Sequence, residues 1–145
     1  MTDTLSQSRR SALMGRVRRR NTTPERAVQS CLHKLGFRFK MHRSNLPGTP
    51  DIVLPKHSVA IFVHGCFWHR HARCKKTTTP KTRADFWIAK FNANVARDRL
   101  ARRRLRSLGW SVVTIWECQT GSLERLSDTL RDKLKHARSK SRKHY

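Results

Sequence analysis

The densest group of chemically reactive side chains follows a short apolar run near the middle of the chain. Residues 59–63 are apolar strand formers, and the segment after them contains His64, Cys66, His69, His71 and Cys74. Imidazoles transfer protons near neutral pH and, like thiolates, bind metal ions. A strand that ends in so many such groups is typical of the edge of an active site.

A zinc site is predicted from the thiols of this segment. Its four donors would come from Cys66, His71, Cys74 and the distant Cys118. Three thiolates and one imidazole can close a tetrahedral zinc site, and four protein ligands leave no open position for a substrate. The zinc would therefore be structural and would join the 66–74 loop to the strand at 111–116. His69 is an alternative ligand, and a set of ordinary thiols is the alternative to any metal.

A second group has the chemistry needed for phosphodiester hydrolysis, which requires a hard cation and a base that deprotonates water. Asp51 is the obvious oxygen ligand for Mg²⁺, and the backbone carbonyl of Val63 is a suitable second ligand. The alternative for Asp51 is an Asx turn after a proline. His69 is a candidate general base, with the inward-facing Asp98 to hold its imidazole. Asp98 could instead pair with a neighbouring arginine.

The elements that must position these groups are two strands, 51–54 and 59–64, joined by four residues. So short a connection predicts an antiparallel hairpin. If Leu54 faces Val59, Asp51 lies opposite Phe62, and a small register slip would place it opposite Val63 or His64. The carboxylate would then sit beside the end of the strand that carries His64.

The rest of the chain predicts a small α/β domain with a mixed sheet and the order α-β-β-β-α-β-α. A first helix begins at 22–25, where Glu25 is either a partner in the helix cap or a second carboxylate near the metal's waters. A strand is expected at 37–42. A long helix runs from 82 or 83 to 108, and its predicted buried face comprises Ile88, Phe91, Val95, Leu105 and Leu108. A last amphipathic helix follows residue 121, and residues 135–145 are predicted to be a basic disordered tail.

The composition indicates a polyanionic partner. The chain has 33 Lys+Arg against 9 Asp+Glu, a formal charge of +24. Such a charge favours nucleic acid as the partner, with a histone-like or ribosomal protein as the non-catalytic alternative. Residues 59–63 are too few to span a bilayer, and no signal segment is evident. We therefore expect a cytosolic protein whose reduced thiols favour a metal over disulfides.

Aromatic and basic residues supply candidate DNA contacts. Phe67 and Trp68 are adjacent in a basic loop and could act as wedges between base pairs. Trp87 is either a third wedge or a core residue. Lys90 and Asn94 could reach base edges, or could lie on a solvated helical face. In the basic arm 1–21, Met14 and Val17 could press against bases along a groove, or the arm could be disordered.

Most of these residues belong to a series of short motifs that extends from about position 11 to position 118. The series contains Leu46-Pro47-Gly48-x-Pro50-Asp51, Phe62-x-His64-Gly65-Cys66-Phe67-Trp68-His69, Arg83-x-x-Phe86-Trp87, Asn94-Val95-x-x-Asp98 and Trp116-Glu117-Cys118. In this series the chain resembles the very short patch repair endonucleases of bacteria. The chain differs from the family pattern in having two residues, not one, between His71 and Cys74.

The resemblance implies a restriction-endonuclease-like fold, with a mixed central sheet flanked by helices and a structural zinc. It implies an enzyme that nicks DNA 5′ to the mispaired thymine of T:G mismatches left by deamination of 5-methylcytosine. The endonuclease domain would span 22–134 and act as a monomer near the bacterial nucleoid, with mismatch-repair proteins and a repair polymerase as partners. A zinc-stabilised DNA-binding protein and a restriction-type endonuclease of the same fold are the alternative functions.

Carried over by position, the resemblance implies a role for each site residue. Asp51 and Val63 would hold magnesium, His69 would be the base assisted by Asp98, and Glu25 and His64 would organise water and phosphate. Zinc would be bound by Cys66, His71, Cys74 and Cys118. DNA would be contacted by Met14, Val17, Phe67, Trp68, Trp87, Lys90 and Asn94.

Overall fold

The computed structural model describes residues 22–142 of the 145-residue chain, with side chains as far as residue 137. The predicted basic arm 1–21, with Met14 and Val17, lies outside the described residues. Within the described part, no helix is both long enough and apolar enough to cross a bilayer.

Helix α1 covers Thr23–Lys34 and begins as its sequence predicts. The Thr22 hydroxyl accepts a hydrogen bond from the backbone N–H of Glu25 at 3.3 Å, and proline occupies the first turn. Both features satisfy or remove the free N–H groups of a helix start. This cap fixes the first turn of the helix and therefore the position of Glu25 in it.

The sheet has four strands in the order β1-β2-β3-β4, with β4 parallel to β3 and the other pairs antiparallel. The strands are β1 (Lys40–Met41), β2 (Ile52–Leu54), β3 (Val59–His64) and β4 (Ser111–Trp116). The mixed sheet is as predicted, but the strand expected at 37–42 is only two residues long. A backbone φ of +46° at His42 ends β1, because a strand requires negative φ.

The hairpin register is the one predicted. Leu54 pairs with Val59 and Ile52 with Ile61, which places Asp51 at the level of Phe62. A short 3₁₀ turn, Pro55–His57, joins the two strands.

Helices cover both faces of the sheet. One core cluster joins α1 and the last helix, α3 (Leu123–Arg142), to residues such as Ile61 and Ile115. The other joins the long helix α2 (Ala84–Ser107) to residues such as Ala60 and Phe62. Burial on both faces explains why β3 is a continuous apolar run.

Close packing holds the loop before β2 against α2. Gly48 has a φ of +74°, and a Cβ added there would lie 2.6 Å from the Cβ of Ala101. Only glycine suits both the left-handed backbone and this contact. The loop that leads to Asp51 therefore lies directly on the long helix.

Two features of the helices differ from prediction. In α2, Phe91 and Leu105 are buried as expected, but Ile88 and Leu108 are 47% and 62% exposed. The reason is that the sheet covers only part of this helix, and Leu108 follows its last turn.

The predicted disordered tail 135–145 is helical as far as Arg142. Leu130, Leu134 and Ala137 are all buried, so the apolar stripe of α3 continues past residue 134. Lysine and arginine also favour helix, which explains why a basic composition did not end it.

Candidate active site and metal centre

The side chain of Asp51 lies at the end of β3, as the hairpin register requires. Its Oδ2 accepts a hydrogen bond from the backbone N–H of Val63 at 2.7 Å. Burial raises the pKa of Asp51 to about 6, and the charge of Glu25 adds to this, although the Val63 N–H opposes it. A buried carboxylate beside a second acid is stabilised in its ionised form when a cation binds.

Two further side chains lie against Asp51. Glu25 is only 3% exposed, and its Oε2 lies 3.0 Å from Nε2 of His42. One ligand atom from each of Glu25, His42 and Asp51 lies within 4.8 Å of the others, so the group could hold a metal ion. Sequence reasoning missed His42, although continuing the β1–β2 register from Met41 and Ile52 would have placed it opposite Asp51.

The predicted contact between His69 and Asp98 is present. Nδ1 of His69 lies 2.6 Å from Oδ2 of Asp98, a carboxylate on α2. A carboxylate can only accept, so this nitrogen carries the proton and Nε2 is left to accept another.

His64 stacks on His69, with ring centroids 3.9 Å apart. Burial lowers the pKa of His64 to about 3, the charge of His69 lowers it further, and Asp98 opposes the shift. His64 is therefore neutral at pH 7. Among the described side chains its Nδ1 is a buried polar atom with no hydrogen-bond partner. Such an atom is typical of a site that takes a further polar group.

The four predicted zinc ligands come together. Nδ1 of His71 lies 3.7 Å from Sγ of Cys66 and 3.4 Å from Sγ of Cys118, and Cys74 belongs to the same group. A tetrahedron with typical Zn–S and Zn–N bonds has ligands about 3.5 to 3.8 Å apart. The donor set therefore fits a tetrahedral metal site, while His69, the alternative ligand, belongs to the Asp98 pair.

The surroundings of these ligands are also ordered. The ring of His71 stacks on Trp116 at 4.2 Å, and the hydroxyl of Thr77 donates to the backbone carbonyl of His71 at 2.8 Å. Between His71 and Cys74 the chain makes a left-handed turn at Arg73, with φ of +59°. Burial raises the pKa of the Cys66 thiol to about 12, so a cation is needed to keep this sulfur as a thiolate at pH 7.

The three predicted wedge residues form one cluster. Trp68 lies 5.7 Å from Trp87, and Phe67 lies 5.1 Å from Phe91, with all three predicted residues partly buried. The ammonium of Lys90 lies 5.5 Å from the ring of Trp68. The cluster thus combines aromatic surface with positive charge, as stacking against nucleic acid requires.

Asn94 and Phe86 modify this interpretation. The Asn94 amide donates to the backbone carbonyl of Trp68 at 3.3 Å, so in this structure it holds the aromatic loop. Phe86, which sequence reasoning did not single out as a site residue, is 46% exposed and contacts Trp87. Its exposure depends on how much of α2 the sheet covers, and no sequence pattern indicates the extent of that contact.

Comparison with known proteins agrees with these features. Residues 2–76 match the family model described as DNA mismatch endonuclease Vsr. The chain is 49% identical to the type II nicking enzyme V.XorIIP of Xanthomonas oryzae, covering 91% of this chain and 96% of that protein. It is 40% identical to the DNA mismatch endonuclease Vsr of Escherichia coli, over 88% of this chain and 81% of that protein. The chain therefore belongs to the Vsr family of DNA mismatch endonucleases.

Proposed function

We propose that this protein is a Mg²⁺-dependent endonuclease that nicks DNA 5′ to the mispaired thymine of T:G mismatches. Two observations at the end of β3 carry the proposal: Asp51 is held on the Val63 N–H at 2.7 Å, and the His69–Asp98 pair stacks its imidazole on His64. Cleavage of a phosphodiester requires both a cation site and a base. The buried carboxylate fits the first requirement and the oriented imidazole fits the second.

Each residue has a defined part in this proposal. Asp51 and the Val63 carbonyl would hold Mg²⁺, which supplies charge stabilisation at the scissile phosphate when bound. His69 accepts the proton of the attacking water at Nε2, and Asp98 keeps its Nδ1 protonated and its ring oriented. Glu25 and the neutral His64 orient water and phosphate.

Recognition and stability are assigned to other elements. Phe67, Trp68 and Trp87 open the stack at the mismatch, Lys90 supplies positive charge, and Met14 and Val17 extend the contact along the duplex. Zn²⁺ bound by Cys66, His71, Cys74 and Cys118 fixes the loop that carries His69. We propose that these parts share a restriction-endonuclease-like scaffold at 22–134.

The same proposal covers partners and location. Double-stranded DNA with a T:G pair is the substrate, and an asymmetric lesion suits a monomer. A nicked strand requires a polymerase, and mismatch-repair proteins are the expected further partners. The bacterial nucleoid is the expected place of action.

A nicking assay tests the function directly. Wild type and Asp51→Asn are compared on T:G and fully paired duplexes of one sequence, with and without Mg²⁺. We expect a nick in one strand of the T:G duplex only, lost in the variant. Asp128→Asn, which removes an exposed carboxylate on α3, is the control for charge.

The alternative functions give different results in the same assay. Binding of the T:G duplex without a nick would favour a zinc-stabilised DNA-binding protein. Cleavage of both strands of the paired duplex would favour a restriction-type endonuclease.

A further inference from the structure

One residue outside the proposed catalytic set contacts both acidic residues of the candidate metal site, the backbone of Asp51 and the carboxylate of Glu25. The backbone N–H of His42 donates to the carbonyl oxygen of Asp51 at 3.0 Å. Its Nε2 lies 3.0 Å from Oε2 of Glu25. His42 therefore connects the helix that carries Glu25 to the strand that carries Asp51.

The backbone of His42 is in an unfavourable conformation. Its φ of +46° lies in the left-handed region, which is unfavourable for a non-glycine residue. Such a conformation persists where surrounding contacts hold it, and strained residues of this kind cluster at functional sites. Here the contacts of His42 are the backbone carbonyl of Asp51 and the carboxylate of Glu25.

The surroundings of Glu25 explain why a hydrogen-bond donor in a fixed position stabilises its carboxylate. Glu25 is 3% exposed, and one oxygen of Glu25 and one of Asp51 lie within 4.8 Å of each other. Two buried carboxylates at this range repel, so each needs hydrogen bonds that fix its direction. The imidazole N–H of His42 supplies such a bond to Glu25 without adding a third negative group.

We propose that His42 is a positioning residue that fixes the orientation of the Glu25 carboxylate relative to Asp51, and thereby sets the affinity of their site for a divalent cation. The inference rests on the proposed function for the location of the cation. It adds a residue whose role is exerted through Glu25 and Asp51 and not on the substrate. Residues that orient metal ligands typically change metal affinity by about 10- to 100-fold when they are replaced.

Three substitutions separate the side chain from the backbone. His42→Ala removes the donor and keeps the backbone cost. His42→Gly removes the donor but relieves that cost, because glycine adopts positive φ freely. His42→Gln retains an N–H donor of similar reach. His33→Ala, on the exposed face of α1, is the matched control.

The measurement is Mn²⁺ binding to the DNA-free protein by titration calorimetry, with thermal unfolding measured alongside. We expect about tenfold weaker binding for His42→Ala and His42→Gly, and binding within about threefold of wild type for His42→Gln. In nicking assays, the rate of His42→Ala should approach that of wild type as Mg²⁺ is raised. A residue that merely stabilised the fold would not shift the Mg²⁺ requirement.

Several results would overturn the inference. They are unchanged affinity in His42→Ala, full recovery in His42→Gly, or wild-type Mn²⁺ binding that Asp51→Asn does not weaken. Failure of the proposed function would be different. Mn²⁺ would then bind with the expected dependence on His42 and Asp51, and no nick would form at T:G.

Discussion

Asp98 on the long helix lies 2.6 Å from His69 in the loop after β3, although 29 positions separate them in the sequence. The contact brings together a helix on one face of the sheet and the loop beyond its edge. Because the carboxylate contacts Nδ1, the opposite nitrogen is free to act as a base.

Replacing Asp98 by asparagine should therefore slow DNA nicking with little effect on DNA binding. An amide can donate to Nδ1 and so favour the wrong tautomer, and we expect a loss of about 100-fold or more in the single-turnover rate. Asp85→Asn, an exposed change in the first turn of the same helix, is the control. An unchanged rate at saturating Mg²⁺ would exclude the pair from the chemistry.

Replacing Asp51 by asparagine should abolish nicking and yet stabilise the protein when no Mg²⁺ is added. The pKa of Asp51 is raised from 3.8 to about 6, so the folded state holds this proton more tightly than the unfolded chain. That stability is present below pH 3.8 and is lost as the pH rises through about 6. An uncharged amide avoids the loss, so we expect roughly 1 to 2 kcal/mol more free energy of unfolding at pH 7. Denaturant unfolding of both proteins measures it, and a less stable variant would contradict the assignment.

The stability of the protein should decrease in acid because of His64. Its pKa is lowered from 6.5 to about 3, so the unfolded chain takes up a proton that the folded state excludes. The stability that this provides is complete above pH 6.5 and is lost as the pH falls towards 3. Compared with His64→Asn, wild type should lose roughly 1 kcal/mol per pH unit over this range. If the free energy of unfolding of both proteins changed equally with pH, the pKa of His64 would not be lowered in the folded state.

Removing one thiolate should cost the protein both metal and stability. We expect purified wild type to contain about one zinc per chain and Cys118→Ser to lose most of it, with a lower unfolding temperature. Cys31→Ser is the control, because Cys31 lies in the α1–α3 core, where it accepts a hydrogen bond from Ser127 at 3.3 Å. Elemental analysis and thermal unfolding provide the readouts. Equal zinc in all three proteins would place the metal elsewhere.

Much of the site could be predicted because its geometry follows from local rules. A four-residue connection set the register of β2 and β3, and that register places Asp51 opposite Phe62, from where its side chain reaches the backbone N–H of Val63. Helical periodicity turned Asp98 inward, and ligand types identified the Cys/His group.

The remaining features depend on long-range packing. His42 contacts Glu25 from a left-handed turn at the end of β1, and no residue pattern indicated that turn. The exposure of Ile88 depends on where the sheet stops covering α2. Sequence periodicity records which residues share a helix face, but not how much of that face another element covers.

The uninterrupted helix Ala84–Ser107 has a mechanical consequence. Trp87 near its start contacts Trp68, Asn94 holds the Trp68 carbonyl, and Asp98 one turn later orients His69. These residues span about 16 Å of a rigid rod. If the proposed roles are right, a duplex that displaces Trp87 would also move Asp98, so a poorly placed base pair would change the orientation of the His69 imidazole.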